Sequence, residues 1–69
     1  MTMTPKQDAI SNAMQALSKA EKQFTSYAEH HRAKGADEKA ATNYGYALMC
    51  GDALEYLKFV FIGEIPGPP

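Results

Sequence analysis

The stretch Arg-Ala-Lys-Gly-Ala-Asp-Glu, residues 32–38, predicts where this chain folds back on itself. Gly35 is the first glycine or proline after Pro5, and a glycine just past the last turn is a common way for a helix to end. Basic residues before Gly35 suit the negative end of a helix dipole, and acidic residues after it suit a positive end. The stretch therefore predicts a tight turn between two helices.

The first predicted helix runs from residue 5 to residue 34, on the N-terminal side of this turn. Thr4 can cap it, Pro5 suits its first turn, and Gln7 stands three residues after the cap, as in a capping box. The stretch that follows is rich in Ala, Gln, Lys, Met and Glu, which favour helix.

The second predicted helix runs from residue 37 to residue 62 and is ended by Gly63. Prolines at 66, 68 and 69 prevent helix beyond this point, because proline lacks the backbone N–H that a helix needs. We therefore expect one helical domain over residues 1–63 and an extended, proline-rich tail over residues 64–69.

Apolar and small residues recur at alternating steps of three and four in both predicted helices. They are Ile10, Ala13, Leu17, Ala20, Phe24, Tyr27 and His31 in the first helix, and Ala40, Tyr44, Ala47, Gly51, Leu54, Lys58 and Phe61 in the second. Such steps mark the line of residues that one helix presents to another, here termed the interhelical seam. Paired from His31 with Ala40 outward, they predict an all-α fold, an antiparallel two-helix hairpin.

The end of the second helix is apolar on all sides, so one partner helix cannot bury it completely. An exposed apolar surface of this kind usually marks an interface. We therefore predict a homo-oligomeric helical bundle assembled through the end where the two termini meet, with a dimer as the simplest form. The predicted interface residues are Ile10, Met14, Leu54, Leu57, Phe59, Val60, Phe61 and Ile62.

Composition excludes several classes of protein. The chain has 69 residues, 45% hydrophobic and 22% charged, with a net charge of -1, which indicates one folded domain. A single cysteine, Cys50, excludes an intrachain disulfide framework and a cysteine-rich zinc module. The sequence shows no broad basic stripe for nucleic acid, no apolar N-terminal signal and no apolar run of membrane-spanning length. We expect a cytoplasmic protein that does not bind a membrane.

No catalytic or metal-binding constellation is evident, so neither an enzyme nor a cofactor is expected. His30 and His31 are adjacent and point about 100° apart, whereas paired metal ligands on a helix usually stand four residues apart. Cys50 has no predicted base within reach. Asp52 and Glu55 share a helix face, but both should be solvated and form no convincing acid–base pair.

The half of the hairpin near the turn gathers aromatic, imidazole, cationic and amide side chains. Aromatic faces can stack on bases, cations can contact phosphates, and an asparagine can read donor and acceptor edges. The candidate ligand-binding residues are Tyr27, His30, Arg32, Lys34, Lys39, Asn43, Tyr44 and Tyr46. The competing interpretation is that Tyr27 and Tyr44, which stand on the seam, are packing residues and the rest of the cluster is a solvated turn.

Two Ala-rich helices, the Lys34-Gly35 turn and an aromatic-rich second helix resemble the short helical-hairpin proteins of tailed-phage accessory regions. Some proteins of that group oligomerise and sequester nucleotide immune signals, as the anti-CBASS and anti-Thoeris sponges do, and others inhibit host proteins directly. The resemblance implies a role in host interaction, and it assigns no role to an individual residue.

Three hypotheses remain open from the sequence. In the first, the oligomer is a non-catalytic sponge that sequesters a small anionic, nucleotide-like signalling ligand in an infected bacterial host. In the second, the hairpin is a protein-interaction module that inhibits a host protein through its helical or apolar C-terminal surface. In the third, the oligomer is purely structural.

Overall fold

The chain forms two long helices that pack against each other as a hairpin. The computed structural model describes residues 3–63, with α1 over Pro5–Ala33 and α2 over Asp37–Gly63. Each helix ends within one residue of its predicted end, and the all-helical hairpin is confirmed. The predicted proline-rich tail, residues 64–69, lies outside the described residues.

The start of α1 is fixed by a capping box. The backbone N–H of Gln7 donates to the Thr4 hydroxyl at 3.1 Å, and the Thr4 N–H donates to Oε1 of Gln7 at 3.0 Å. Pro5 occupies the first helical turn. A backbone N–H at that position has no partner within the helix, so the missing N–H of proline costs no hydrogen bond. Two backbone donors that the helix cannot satisfy internally are thereby paired, which places the helix start at residue 5.

The turn between the helices is a Schellman motif. The N–H of Gly35 donates to the Arg32 carbonyl at 3.0 Å, and the N–H of Ala36 donates to the His31 carbonyl at 2.9 Å. This pattern requires a left-handed residue just past the helix end, and Gly35 adopts it with φ of 77°. Glycine has no Cβ to clash in this conformation. The missing Cβ explains both why Gly35 predicted a helix end and why the turn forms there.

The seam on α1 differs from the predicted one at alternate positions. Tyr27, predicted to face α2, is 47% exposed, whereas its neighbour Ala28 is completely buried. Similarly, the side chain that lies against Gly51 belongs to Glu21 and not to the predicted Ala20. The physical reason is that an alanine at position 28 lets the two helices approach closely, while the tyrosine hydroxyl stays in contact with water.

The seam on α2 follows the prediction more closely, since Ala40 and Ala47 are both buried. Among residues 3–63, the buried apolar side chains are those of Ile10, Ala28, Ala40 and Ala47, and no large side chain is fully buried. The molecule is elongated, with principal extents of 56 × 17 × 13 Å. The two helices therefore pack against each other mainly through small residues, and the larger side chains lie near the surface.

Candidate functional site

The most prominent surface feature is a set of large apolar side chains that are exposed along α2. Leu48, Met49, Tyr56, Phe59 and Ile62 are each between 66% and 81% exposed. Tyr56, Phe59 and Ile62 follow one another at steps of three, and Leu48 and Met49 stand about two helical turns before Tyr56. We call these five residues the α2 outer face.

The outward positions of α1 are polar by contrast. The exposed residues there are Asn12, Gln15, Lys19, Lys22, Ser26 and Glu29. An amphipathic helix of this kind needs only one apolar partner, which α2 supplies. In its C-terminal half α2 is apolar on both sides, which is typical of a helix that is covered from two directions. The α2 outer face is therefore the surface most suited to a further contact.

Two exposed acidic residues, Asp52 and Glu55, stand between Met49 and Tyr56 along α2. Both also line a shallow groove between the helices, together with Glu21 and Leu48. In that groove, Oε2 of Glu21 lies 2.9 Å from the position that a Cβ on Gly51 would occupy. The absence of a side chain at Gly51 thus makes room for the Glu21 carboxylate. Three of the ten residues that line the groove are acidic, namely Glu21, Asp52 and Glu55, and Lys58 is the one cation among the ten, so we call it the acidic groove.

The structure distributes the eight predicted ligand residues over different parts of the surface. Lys39 and Asn43 share a shallow depression near the turn with His31 and Glu38. The side-chain amide of Asn43 donates to the Lys39 carbonyl at 2.9 Å, so one of its two N–H groups serves the helix itself.

The predicted tyrosines do not meet at that depression. Tyr44 lines the acidic groove, whereas the ring of Tyr46 lies 5.3 Å from the ring of Phe24. The hydroxyl of Tyr27 accepts a hydrogen bond from Nε2 of Gln23 at 3.0 Å. Residues two apart on a helix point in nearly opposite directions, which explains the separation of Tyr44 from Tyr46.

The remaining predicted ligand residues, His30, Arg32 and Lys34, are all exposed at the end of α1. The rings of His30 and His31 are 5.8 Å apart. Within one copy of the chain, these cations and imidazoles surround the turn without enclosing a concave site. The ligand-binding assignment stays a prediction.

Cys50 contributes to an apolar patch with Phe24, Tyr46 and Met49. Its thiol is partly buried there, where a cysteine behaves as a small hydrophobic residue. Within residues 3–63, no three His, Cys, Asp or Glu side chains come together as metal ligands would. In the same part of the chain, neither helix combines the length and the apolar character that crossing a bilayer would need.

The predicted oligomer residues divide into three groups. Ile10 is buried, with 9% of its surface exposed, and its assignment to an interface stays a prediction. Phe59 and Ile62 are exposed, as an interface requires. The rest are partly buried between or beside the helices, namely Met14, Leu54, Leu57, Val60 and Phe61.

Three members of the α2 outer face were missing from the predicted interface, namely Leu48, Met49 and Tyr56. Their signal was present in the sequence, because they continue the spacing of Phe59 and Ile62 back toward the middle of the helix. The exposed apolar surface of α2 therefore extends further toward the middle of the helix than predicted. No protein-family model, curated protein sequence or solved structure matches the chain.

Proposed function

We propose that this chain is a non-catalytic protein-interaction module that binds its partner through the α2 outer face. The observation that carries the proposal is the exposure of five large apolar side chains along one helix, with Phe59 at 81%. Exposed apolar surface of this extent is unfavourable in water and is typical of contact sites between proteins.

The chemistry of the surface fits a helical or other extended apolar partner. Tyrosine, phenylalanine and methionine are enriched at the centres of protein interfaces, and the outer face contains one of each, at residues 56, 59 and 49. A helix that presents such residues at steps of three and four can lie along a groove or against another helix. Asp52 and Glu55 then lie among the residues that contact the partner. Their carboxylates favour a partner that leaves them in water or supplies hydrogen-bond donors to them.

Site-specific photo-cross-linking tests the proposal directly. A benzophenone amino acid is placed at Phe59, and in a matched control at Lys19 on the polar outward side of α1. We expect covalent protein adducts from position 59 in producing cells and few from position 19. If position 59 yields no more adducts than position 19, the α2 outer face is not a protein-binding surface and the proposal fails.

Sequestration of a nucleotide-like anion is the second candidate function. One observation favours it, namely that Lys39, Asn43 and His31 border the same depression near the turn. Glu38 also lines that depression and would repel an anion, so the protein-interaction module is the better supported of the two. Native mass spectrometry of gently purified protein separates the hypotheses, and Arg32→Ala should abolish any ligand mass while leaving the assembly intact.

A further inference from the structure

The carboxylate of Asp52 lies within the exposed apolar surface of α2. On a helix, the side chains that surround a given position are those three and four residues before and after it. For Asp52 these are Leu48, Met49, Glu55 and Tyr56. The three apolar members of this set are each at least 67% exposed, and Asp52 is itself exposed. A partner that covers the α2 outer face must therefore also cover this carboxylate.

The hairpin does not neutralise Asp52. Among residues 3–63, the side chains of Asp52 and Glu55 form no ion pair and accept no hydrogen bond. Lys58, the cation of the acidic groove, stands six residues beyond Asp52, and residues six apart point in different directions on a helix. A carboxylate that is taken out of water needs an opposite charge or hydrogen-bond donors. The partner has to supply them.

A basic residue of the partner meets this need, and arginine fits better than lysine. A guanidinium group has five N–H donors, is less strongly hydrated than an ammonium group and stacks on aromatic rings. Asp52 and Glu55 stand three residues apart, so their carboxylates can share one guanidinium group. The exposed ring of Tyr56 stands one turn after Asp52 and offers its face to the same group. The same face of a second copy would bring another carboxylate to this place and leave both unsatisfied.

We propose that the α2 outer face binds an amphipathic helix of a different protein, in which an arginine stands among apolar residues and pairs with Asp52. The apolar residues of that helix stand three and four positions before and after the arginine, and they contact Leu48, Met49, Tyr56 and Phe59. This inference rests on the proposed function, since it names the kind of partner that the binding surface takes.

Gly45 indicates how far the partner helix extends. Glycine inside a helix is less favourable than alanine. Nothing in the hairpin requires it here, because a Cβ built on Gly45 meets no atom within 4 Å and its φ is not positive. Gly45 stands three and four residues before Leu48 and Met49, so it continues the same surface. A partner helix that approaches closely accounts for the missing side chain. From Gly45 to Phe59 this surface is about 21 Å long, the length of a helix of about 14 residues.

A peptide selection tests the charge requirement without assuming a partner sequence. A display library of random peptides of about 16 residues, enough to span the surface, is selected on the full chain. The same library is selected in parallel on the double variant Asp52→Asn, Glu55→Gln, which keeps the sizes of both side chains and removes their charges. On the unmodified chain we expect enriched peptides with arginine or lysine flanked by large apolar residues three or four positions away. On the double variant we expect the apolar spacing without a preference for a cation.

The affinity of one enriched peptide then locates the contact. The synthetic peptide is titrated against the full chain by fluorescence anisotropy at physiological salt, and circular dichroism confirms that each variant is folded. Asp52→Asn should weaken binding about 30-fold or more, because it leaves the cation of the peptide covered and unpaired.

Two further variants serve as comparisons in this titration. Glu38→Gln removes the same charge from an exposed residue in the first turn of α2, about 21 Å from Asp52, and should leave the affinity unchanged. Phe59→Ala should weaken binding as well, whereas a peptide held by charge alone would not respond to it.

Three results would overturn the inference. Enriched peptides without a basic residue among their apolar ones, or a selection that enriches no peptide, show that the face does not take such a helix. Equal affinities of the Asp52→Asn and Glu38→Gln variants show that Asp52 does not pair with the peptide. The proposed function is judged separately by photo-cross-linking. Adducts of position 59 with a protein that lacks such a helix would leave the proposed function standing and remove this inference.

Discussion

The two helices differ in the capping of their first backbone N–H groups. The difference can be tested by removing the cap of α1 and by adding a cap to α2. The α1 start has the reciprocal bonds of Thr4 and Gln7, at 3.1 and 3.0 Å. The α2 start has Ala36 in the equivalent place, where its carbonyl accepts from the Ala40 N–H at 3.0 Å but its side chain offers no acceptor. The next backbone N–H groups, including that of Lys39, are the donors that a capping hydroxyl would satisfy.

Thr4→Ala should therefore lower the free energy of unfolding by about 1 kcal/mol, and Ala36→Ser should raise it by about the same amount. For a domain of this size, each change corresponds to a shift of about 4–8 °C in Tm. The matched control is Ala16→Ser at an exposed position inside α1, which should lower the stability by about 0.5 kcal/mol through helix propensity alone.

The assay is urea and thermal unfolding followed by circular dichroism at one fixed protein concentration. The fixed concentration keeps any effect of self-association on the measured stability the same for every variant. If Ala36→Ser loses stability as Ala16→Ser does, α2 does not begin with unsatisfied donors at residue 37. The description of the turn would then be wrong.

The same unfolding assay checks three further expectations. Gly35→Ala should lose about 1 kcal/mol because φ of 77° disfavours a Cβ, and Gly35→Asn should lose less; equal stability of all three proteins would contradict the turn geometry. Ala28→Leu should lose about 1–3 kcal/mol by overpacking a buried site. Tyr27→Leu should change the free energy of unfolding by less than about 0.5 kcal/mol. A larger loss for Tyr27→Leu than for Ala28→Leu would place Tyr27 on the seam, as the sequence predicted. Gly51→Ala should gain less than the roughly 1 kcal/mol expected from helix propensity because Glu21 occupies the space. In a double-mutant cycle, Gly51→Ala should give the full gain in stability when Glu21→Ala is also present. Strictly additive effects of the two substitutions would exclude the contact between Glu21 and residue 51.

The helix ends and the turn were predictable because each depends on a local interaction. Thr4 and Gln7 are three residues apart, and Gly35 adopts a conformation that other residues rarely take. The choice between Tyr27 and Ala28 on the seam was not local. Adjacent positions satisfy a three–four repeat almost equally well, and the distance between the two helices decides which one faces inward.

The candidate site was less predictable than the fold. Closeness to the turn in sequence suggested that Tyr44, Tyr46 and Lys39 would act together, but their directions around the helix separate them. The sequence predicted part of the exposed apolar surface of α2, namely the end that contains Phe59 and Ile62. Its extension to Leu48 became clear only from the exposure of that side chain in the packed hairpin.

The hairpin turn at Gly35 also determines the order in which the structure can assemble. Contacts beside the turn, such as those near Ala28 and Ala40, close short loops, and contacts at the open end close loops several times longer. Because the entropy of loop closure rises with loop length, we expect pairing to spread from the turn toward the termini. The bulky residues Phe59 and Ile62 lie where the helices pair last. A newly released chain would therefore expose its most apolar segment throughout most of its folding.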